Sequence, residues 1–319
     1  MMKKIMVSVL VLFMLLGCQS KASTDFTVGV LQWAEHPALT DSYTGMVKGL
    51  KEAGLKDRVN VIYKNANEDV GTASQIVSQF VQEGVDVIFA IATPSAQTAL
   101  NGIEGTDIKV VFAAVTDAAS AGLVENVNAP EGAVTGVSDA VNLGAQLDMI
   151  LEILPEMKNL GILFNTSEAN SAIQIEQLEA EAANKGVPII KQGVSNSNEI
   201  SQTALQVASQ SDAMFIITDN MIASAAGLVV DKAKEKGIGV FMTESGQFDQ
   251  GILASDSISY ELLGIQAGHM VSDLLLGNKE VSQIPVETSK ETELLVSQSM
   301  ADELGIVFPD SILERADVR

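Results

Sequence analysis

Residues 85–115, VDVIFAIATPSAQTALNGIEGTDIKVVFAAV, decide the fold of this chain. Two apolar, β-branched runs at residues 85–91 and 109–115 enclose a stretch with helical spacing at residues 95–100. The polar turn Thr93-Pro94-Ser95 separates the first run from that stretch. Strands that alternate with helices are typical of βαβ units, which assemble into parallel sheets. The stretch therefore predicts an α/β protein with polar residues at the strand ends.

The same alternation extends through the rest of the chain. In the first half it predicts strands at 26–31, 59–63, 85–91 and 109–115, and helices at 41–53, 71–83 and 95–100. After Pro155 it predicts strands at 159–164, 188–190, 213–217 and 238–242, and helices at 172–184, 199–209 and 223–236. The order of elements repeats although the residues do not. About 300 residues in two such series predict two doubly wound, Rossmann-like parallel-sheet lobes.

Polar residues follow the predicted strands at matching places in the two halves. They are Gln32, Thr93-Pro94-Ser95 and Thr116-Asp117 in the first half, and Asn165 to Glu168, Asp219-Asn220 and Thr243-Glu244 in the second. Ligands of open parallel sheets bind beyond the carboxyl ends of the strands. Two such rims that face each other predict a ligand cleft between the lobes.

The N-terminus has the pattern of an export signal. Lys3 and Lys4 precede an apolar run at residues 5–16, which is shorter than the roughly 20 residues that a membrane-spanning helix needs. The run ends at Leu15-Leu16-Gly17-Cys18, which resembles the lipobox of bacterial lipoproteins. This resemblance implies a signal peptide at residues 1–17, lipidation of Cys18 and a tether at residues 18–24. The alternative is an ordinary signal peptide with an incidental cysteine.

Composition excludes several classes of function. Cys18 is the only cysteine, so the chain cannot form an internal disulfide. The formal net charge is −22, and it becomes −24 when Lys3 and Lys4 leave with the signal peptide. A body this acidic is repelled by nucleic acid and by anionic lipid head groups, so we expect neither as a partner.

Four motifs in order resemble one known family. They are Gly29 to Leu39, Ala92 to Gln97, Asn165 to Ser171 and Thr218 to Asn220. Together they resemble the ABC-transporter substrate-binding proteins of the tryptophan-binding TrpX type, with the type I periplasmic-binding-protein fold. The resemblance covers roughly residues 25–300. It implies an extracytoplasmic monomer, lipid-anchored to the bacterial cell membrane, that needs no cofactor and hands a small molecule to an ABC permease and its ATPase subunits.

The resemblance also implies how the chain divides into lobes. Lobe 1 is expected at residues 25–138 and 256–280, and lobe 2 at residues 139–255 and 281–319. The chain then crosses more than once between the lobes, which gives a multi-strand hinge near residues 135–142 and 255–259. Closure about this hinge is expected to trap the ligand.

The residues at the rims suggest roles toward an amino acid. Hydroxyls and free N–H groups at the helix starts after Thr93 and Ser167 favour a carboxylate. The carboxylates are candidates for an ammonium group: Glu168, Asp117, Asp219 and Glu244. The full set of predicted ligand contacts is Gln32, Trp33, Thr93, Pro94, Ser95, Thr116, Asp117, Asn165, Ser167, Glu168, Asn170, Ser171, Asp219, Asn220 and Glu244. His36 fits a turn as well as a binding role.

The favoured ligand is an aromatic amino acid such as tryptophan or phenylalanine, with Trp33 as one wall of its pocket. A sugar or nucleoside carrier of the same fold remains an alternative, as does a ligand-sensing lipoprotein without a transport role. The sequence has no Gly-x-Ser-x-Gly elbow, Walker loop or Gly-x-Gly-x-x-Gly fingerprint. Neither His36 nor His269 has another His or Cys at zinc-ligand spacing. We therefore expect no catalytic and no metal site.

Overall fold

A computed structural model describes residues 24–289 and 291–319. The expected signal peptide, Cys18 and most of the tether lie outside these residues. None of the helices in the described ranges is long and apolar enough to cross a membrane.

The described chain alternates between strands and helices from end to end. The strands are β1 Phe26–Gln32, β2 Val59–Asn65, β3 Val87–Ile91, β4 Lys109–Val115, β5 Val134–Ser138, β6 Leu160–Asn165, β7 Ile189–Val194, β8 Ala213–Ile216, β9 Gly239–Met242, β10 Ala254–Ser257, β11 Glu287–Thr288, β12 Glu293–Val296 and β13 Ala316–Val318. The helices are α1 Pro37–Glu52, α2 Val70–Glu83, α3 Thr93–Gly102, α4 Leu143–Ile153, α5 Ala169–Lys185, α6 Ile200–Ala208, α7 Asn220–Ser224, α8 Ala226–Lys234, α9 Tyr260–Leu275, α10 Gln298–Leu304 and α11 Asp310–Leu313. Three single turns of 3₁₀-helix, Ser197–Glu199, Phe248–Gln250 and Val281–Gln283, lie in connections.

The strands form two sheets, one in each lobe. Sheet 1 has the order β11-β5-β4-β3-β1-β2 and is parallel throughout. Sheet 2 has the order β13-β12-β10-β9-β8-β6-β7, and its β10–β12 pair is antiparallel. Central strands such as β3 and β8 are buried along their whole length, because helices cover both faces of a parallel sheet. The prediction of two doubly wound parallel-sheet lobes is confirmed.

Helix α9 lies on lobe 1 although it follows sheet 2 in the chain. Its glycines Gly264 and Gly268 face Gly45 and Gly49 of α1, so the two helix backbones touch. A methyl group at Gly45 would collide with the backbone oxygen of Glu261, which leaves glycine as the residue that fits. Strand β11 then joins sheet 1 through β5, so sheet 1 extends beyond residue 280, where we expected lobe 1 to end.

Some element boundaries differ from the sequence predictions for local reasons. Helix α1 begins at Pro37 rather than near Asp41, because proline fits the first helical turn. The single helix expected at 223–236 is two helices, α7 and α8, with a break at Ala225, whose φ of −109° is not helical. Strand β7 continues to Val194 through polar residues, since it is the edge of sheet 2, where Lys191 and Gln192 face solvent.

Candidate functional site

The carboxyl ends of the sheet 1 strands align into one rim. Gln32 at the end of β1 is paired in register with Ile91 at the end of β3, and Ile91 is paired with Ala113 of β4. At the other side of β4, the backbone N–H of Asp139 donates to the carbonyl of Val115 at 3.3 Å. The polar residues that follow these strands therefore lie side by side.

The start of α3 presents two buried hydroxyls to this rim. Thr93 and Ser95 are 2% and 0% exposed, and neither hydroxyl has a hydrogen-bond partner in the described chain. Neither side chain holds the N-cap position of the helix, which belongs to Ala92 with a φ of 80°. A left-handed alanine is strained, and such strain persists where surrounding structure enforces it, commonly at binding sites. The strained turn leaves both hydroxyls free of the helix backbone.

Glu168 organises the rim of lobe 2 from its centre. Its Oε1 accepts from the side chain of Asn165 at 3.1 Å and the backbone of Met221 at 3.3 Å. Its Oε2 accepts from the side chain of Asn170 at 3.1 Å and from the backbone and side chain of Asn220 at 3.2 and 2.5 Å. Both oxygens are thus occupied by groups of lobe 2. Glu168, expected to meet an ammonium group, instead ties the loops after β6 and β8 together.

Asp219 is also committed to its own lobe. Its Oδ1 caps α7 by accepting from the backbone of Ile222 at 3.0 Å, and its Oδ2 accepts from Asn165 N at 2.6 Å and Ser171 Oγ at 2.7 Å. Burial and, to a smaller extent, the charge of the neighbouring Glu168 raise the pKa of Asp219 to about 7. The hydrogen bonds from Asn165 and Ser171 oppose this shift. Asp219 and Ser171 therefore brace the rim rather than offer free atoms to a ligand.

Two predicted residues lie at the outside of the site. Ser167 is exposed, and its N–H donates to Asn165 Oδ1 within the same turn. Asp117 is half-buried and accepts from the backbone and hydroxyl of Ser120. Together with Thr116, it lines a surface cavity of about 380 Å³ at the edge of the cleft. The Asp117 carboxylate and the Ser167 hydroxyl therefore lie near the surface, although both residues were predicted as ligand contacts.

The two rims meet through direct contacts between the lobes. His36, in the β1–α1 loop, places Nε2 3.4 Å from Asn220 Oδ1 and Nδ1 3.7 Å from Glu244 Oε2. Ser224 donates to Glu68 at 3.0 Å. At Gly246 an added methyl group would lie 2.8 Å from Cβ of Pro37, so the lobes approach closely there. The described conformation is closed.

Most of the buried polar atoms without a hydrogen-bond partner lie at this junction. Within residues 24–289 and 291–319 they are Gln32 Oε1, Trp33 Nε1, His36 Nδ1, Thr93 Oγ1, Ser95 Oγ, Asp139 Oδ1, Gln146 Oε1, Asn170 Oδ1, Glu244 Oε2, Gln247 Nε2 and Oε1, and Ser255 Oγ. All except those of Gln146 and Ser255 are at a strand end or in the five residues after it. Buried polar groups are normally paired, so this concentration makes the junction the candidate ligand site.

The buried part of the site is acidic. The buried residues of the described chain include Asp139, Glu168, Asp219 and Glu244 but no lysine or arginine. Burial lowers the pKa of His36 to about 4, against the opposing effect of the hydrogen bond that its ring makes to Asn220 Oδ1, so this imidazole is neutral at pH 7. Within the described ranges, no group of three or more His, Cys, Asp or Glu side chains is arranged to hold a metal ion.

Several side chains of the candidate site were not predicted from the sequence. Asp139, Gln247 and Tyr260 were not predicted, and His36 was left between two roles. Asp139 follows β5 as Thr116 follows β4, so the rule of polar residues at strand ends could have found it. Tyr260 starts α9 and donates to Asp139 at 3.1 Å, a contact that depends on how two crossing segments meet. No local signal in the sequence indicates that contact.

Comparison with known proteins gives close relatives over nearly the whole chain. A tyrosine-binding protein of Clostridioides difficile (strain R20291) is 36% identical over 273 residues, which is 85% of this chain and 78% of that protein. The ABC domain from Streptococcus pneumoniae in complex with L-Trp is 32% identical, with a TM-score of 0.88, and the match covers 92% of this chain and 99% of that one. The solved relatives have the type I periplasmic-binding-protein fold, and the two sheets of this chain have the strand order of that fold.

A third relative supports the assignment of a closed conformation. The ligand-free, open structure of a substrate-binding protein with adhesive properties from Clostridium difficile is 35% identical and covers the same shares, 92% and 99%. Its TM-score is only 0.69, against 0.88 for the L-Trp complex, although the sequence identities are similar. This chain therefore superposes better on the relative in complex with L-Trp than on the ligand-free, open one, in agreement with the contacts between its lobes.

The family model for "ABC transporter substrate binding protein" matches residues 27–319, which include both rims, both sheets and every crossing between the lobes. Proteins of this family are extracytoplasmic binding proteins rather than enzymes. The chain therefore belongs to the ABC transporter substrate-binding protein family.

Proposed function

We propose that this protein is a lipid-anchored binding protein that takes up an aromatic α-amino acid between its lobes and delivers it to an ABC permease. The observation that carries the proposal is that the cleft holds both kinds of unpartnered buried group: the hydroxyls of Thr93 and Ser95, and one carboxyl oxygen each of Asp139 and Glu244, none of which has a partner within the described residues. An α-amino acid presents an anion and a cation on one carbon atom, so its site needs donors and acceptors close together.

The hydroxyls of Thr93 and Ser95 suit the carboxylate of such a ligand. Both are buried and without a partner in the described chain, at the N-terminus of the ten-residue helix α3. The positive end of the helix dipole and the free N–H groups of the first turn favour an anion there. Because the described chain buries no lysine or arginine, hydroxyls and backbone amides are the donors on which the anion must depend.

Trp33 supports an aromatic side chain on the ligand. It follows β1 directly, and its backbone N–H donates to the carbonyl of Ile91 at 3.3 Å, which places it beside the turn that carries Thr93. The indole is 4% exposed, and its Nε1 has no acceptor in the described ranges. A flat apolar surface with one polar edge fits an aromatic ligand. The relatives named for tyrosine and bound to L-Trp point to the same class.

A ligand screen by thermal shift and calorimetry tests this proposal. The panel holds tyrosine, tryptophan, phenylalanine, other amino acids, ribose and a nucleoside. An aromatic amino acid at 100 times its Kd should stabilise the protein by about 2.7 kcal/mol through mass action. A response to ribose or the nucleoside, with none to any amino acid, would assign the cleft to the alternative ligands.

Two variants connect the ligand to the proposed anion site. Thr93→Val and Ser95→Ala should each weaken binding of the aromatic amino acid by roughly 10- to 150-fold, the range for hydrogen bonds to a charged group. Thr98→Val is the matched control on the same helix, because the Thr98 hydroxyl already donates to the carbonyl of Pro94 at 2.7 Å. Equal affinities in all three variants would contradict the assignment.

The lipid anchor and the transport role rest on the sequence pattern and the family. Mass spectrometry of protein extracted from membranes should find diacylglycerol on Cys18 as the first residue. A Cys18→Ala variant should be released from the membrane while its ligand affinity stays unchanged. Loss of uptake of the radiolabelled amino acid on deletion of the protein supports transport, whereas unchanged uptake favours a sensing role.

A further inference from the structure

Two carboxyl groups in the cleft keep an oxygen free. Glu244 is 2% exposed and Asp139 is 1% exposed. Within the described residues, Oε2 of Glu244 and Oδ1 of Asp139 have no hydrogen-bond partner. The other oxygen of Asp139 accepts from the hydroxyl of Tyr260 at 3.1 Å. A buried carboxylate oxygen without a donor is costly, so a cationic donor at this place would remove a large penalty.

The two groups reach the cleft from different lobes. Asp139 follows directly after β5 of sheet 1, on the first crossing between the lobes. Glu244 lies two residues after β9 of sheet 2. When both are ionised, their negative charges repel each other, and the charge of Asp139 contributes to the raised pKa of Glu244. A cation between them would therefore attract both lobes at once.

The protein itself supplies no cation at this place. His36 lies 3.7 Å from Glu244, but its lowered pKa keeps the ring neutral at pH 7. The remaining charged or titratable groups around the pair are Glu168 and Asp219, which are acidic, and Tyr260. Glu168 and Asp219 are occupied by lobe 2 donors, so they offer no free oxygen. The geometry of the described acids also fails to make a metal site.

We propose that Asp139 and Glu244 form the ammonium subsite of the cleft, holding the α-ammonium group of the ligand from opposite lobes. This inference rests on the proposed function for the identity of the ligand, but it concerns the amine alone. It assigns the cation to these residues instead of Glu168, Asp117 and Asp219. Binding of the amine then draws lobe 2 onto lobe 1. The ammonium group attracts the carboxylates of Asp139 and Glu244, which otherwise repel each other.

The subsite makes the affinity for the ligand depend on pH. Burial raises the pKa of Asp139 to about 6 and that of Glu244 well above its usual value. An ammonium group favours the ionised carboxylates, so ligand binding lowers both pKa values and releases protons. Affinity should then rise as the pH increases from 5 to 8. Calorimetry in two buffers of different ionisation enthalpy measures the protons released.

The test compares four small molecules: tyrosine, tryptophan, tyramine, which has an amine without a carboxylate, and 3-(4-hydroxyphenyl)propionate, which has the carboxylate without an amine. The variants are Asp139→Asn and Glu244→Gln, with Asp249→Asn as an exposed control in the same connection as Glu244. Both test variants keep size and shape, and thermal unfolding checks that they remain folded.

We expect each test variant to weaken binding of the amine ligands by roughly 10- to 150-fold and to reduce proton release, while Asp249→Asn matches the wild type. The propionate should bind the wild type much more weakly than tyrosine. Binding of tyramine but of no amino acid, lost in both variants, would support the subsite and reject the proposed amino-acid function. The subsite is overturned if both variants bind amine ligands like the wild type, or if the wild type binds the propionate as well as tyrosine.

Discussion

Replacing Glu168 by alanine should damage the stability of lobe 2 and not only its ligand affinity. The side chain is 2% exposed and accepts five hydrogen bonds from three neighbouring segments. The amide of Asn170 also donates to the carbonyl of Thr218, so it keeps one partner after the change. The side-chain amides of Asn165 and Asn220 and the backbone N–H groups of Asn220 and Met221 lose the carboxylate together.

The size of the effect follows from those four donors. A buried donor left without a partner costs about 1–3 kcal/mol, but water entering the cavity and small shifts of the loops make the four costs less than additive. We therefore expect Glu168→Ala to lower the free energy of unfolding by about 3–5 kcal/mol, the range for breaking a buried charged network. Glu168→Gln keeps two polar atoms and should lose less.

Urea unfolding followed by circular dichroism measures this loss. Glu176→Ala is the control, because Glu176 is exposed on the same helix α5, and we expect it to change the free energy of unfolding by less than about 0.5 kcal/mol. If Glu168→Ala unfolds like the wild type and only its ligand affinity falls, the carboxylate is a ligand contact and our reading of it as a brace is wrong.

Three further perturbations follow from the closed structure. The ligand-free protein should lose stability as the pH rises from 6.5 to 8. The pKa of Asp219 is about 7 in the folded state and lower in the unfolded state, so the folded state binds more protons in this range. The opposite contribution of His36 is confined to pH values below about 6.5, because its pKa is lowered in the folded state. Melting temperatures across this range check the sign, and Asp219→Asn should flatten the slope. Gly45→Ala should destabilise lobe 1 by about 1–3 kcal/mol or more in urea unfolding, because the methyl group meets the backbone of α9 and outweighs the gain in helix propensity. Ser224→Ala removes the 3.0 Å hydrogen bond to Glu68 between the lobes and should speed ligand dissociation by a few-fold in stopped-flow measurements, with no change in unfolding midpoint.

The fold was predictable because the sequence patterns that mark strands and helix ends are local. The run at residues 109–115 is strand β4 with the same boundaries, and the glycines at 84 and 186 end α2 and α5 in the left-handed conformation that favours glycine. Boundaries failed where a turn overrode the periodicity, as at Ala225. Strand β11 was not predicted, because a two-residue strand depends on its partner and leaves no pattern of its own.

The sequence indicates where the candidate site lies, but it indicates less well what each side chain does there. Strand ends place Gln32, Thr93 and Glu244 among the unpartnered buried residues of the candidate site, since the carboxyl ends of parallel strands share one edge. Which carboxylate is free depends on neighbours distant in the chain: Glu168 is occupied by residues 52 and 53 positions away. Periodicity carries no information on such contacts. The sequence therefore could not distinguish the carboxylates that accept hydrogen bonds from their own lobe from those that keep an oxygen free for a ligand.

A crystal structure of the protein with tyrosine or tryptophan tests the central claim most directly. We predict the amino acid between the lobes, its carboxylate within hydrogen-bond distance of the hydroxyls of Thr93 and Ser95, and its ammonium between Asp139 and Glu244. The lobes should keep the closed arrangement in which His36 meets Asn220. An amino acid bound outside the cleft, or one whose ammonium contacts Glu168 while Asp139 and Glu244 stay without a donor, would contradict the account.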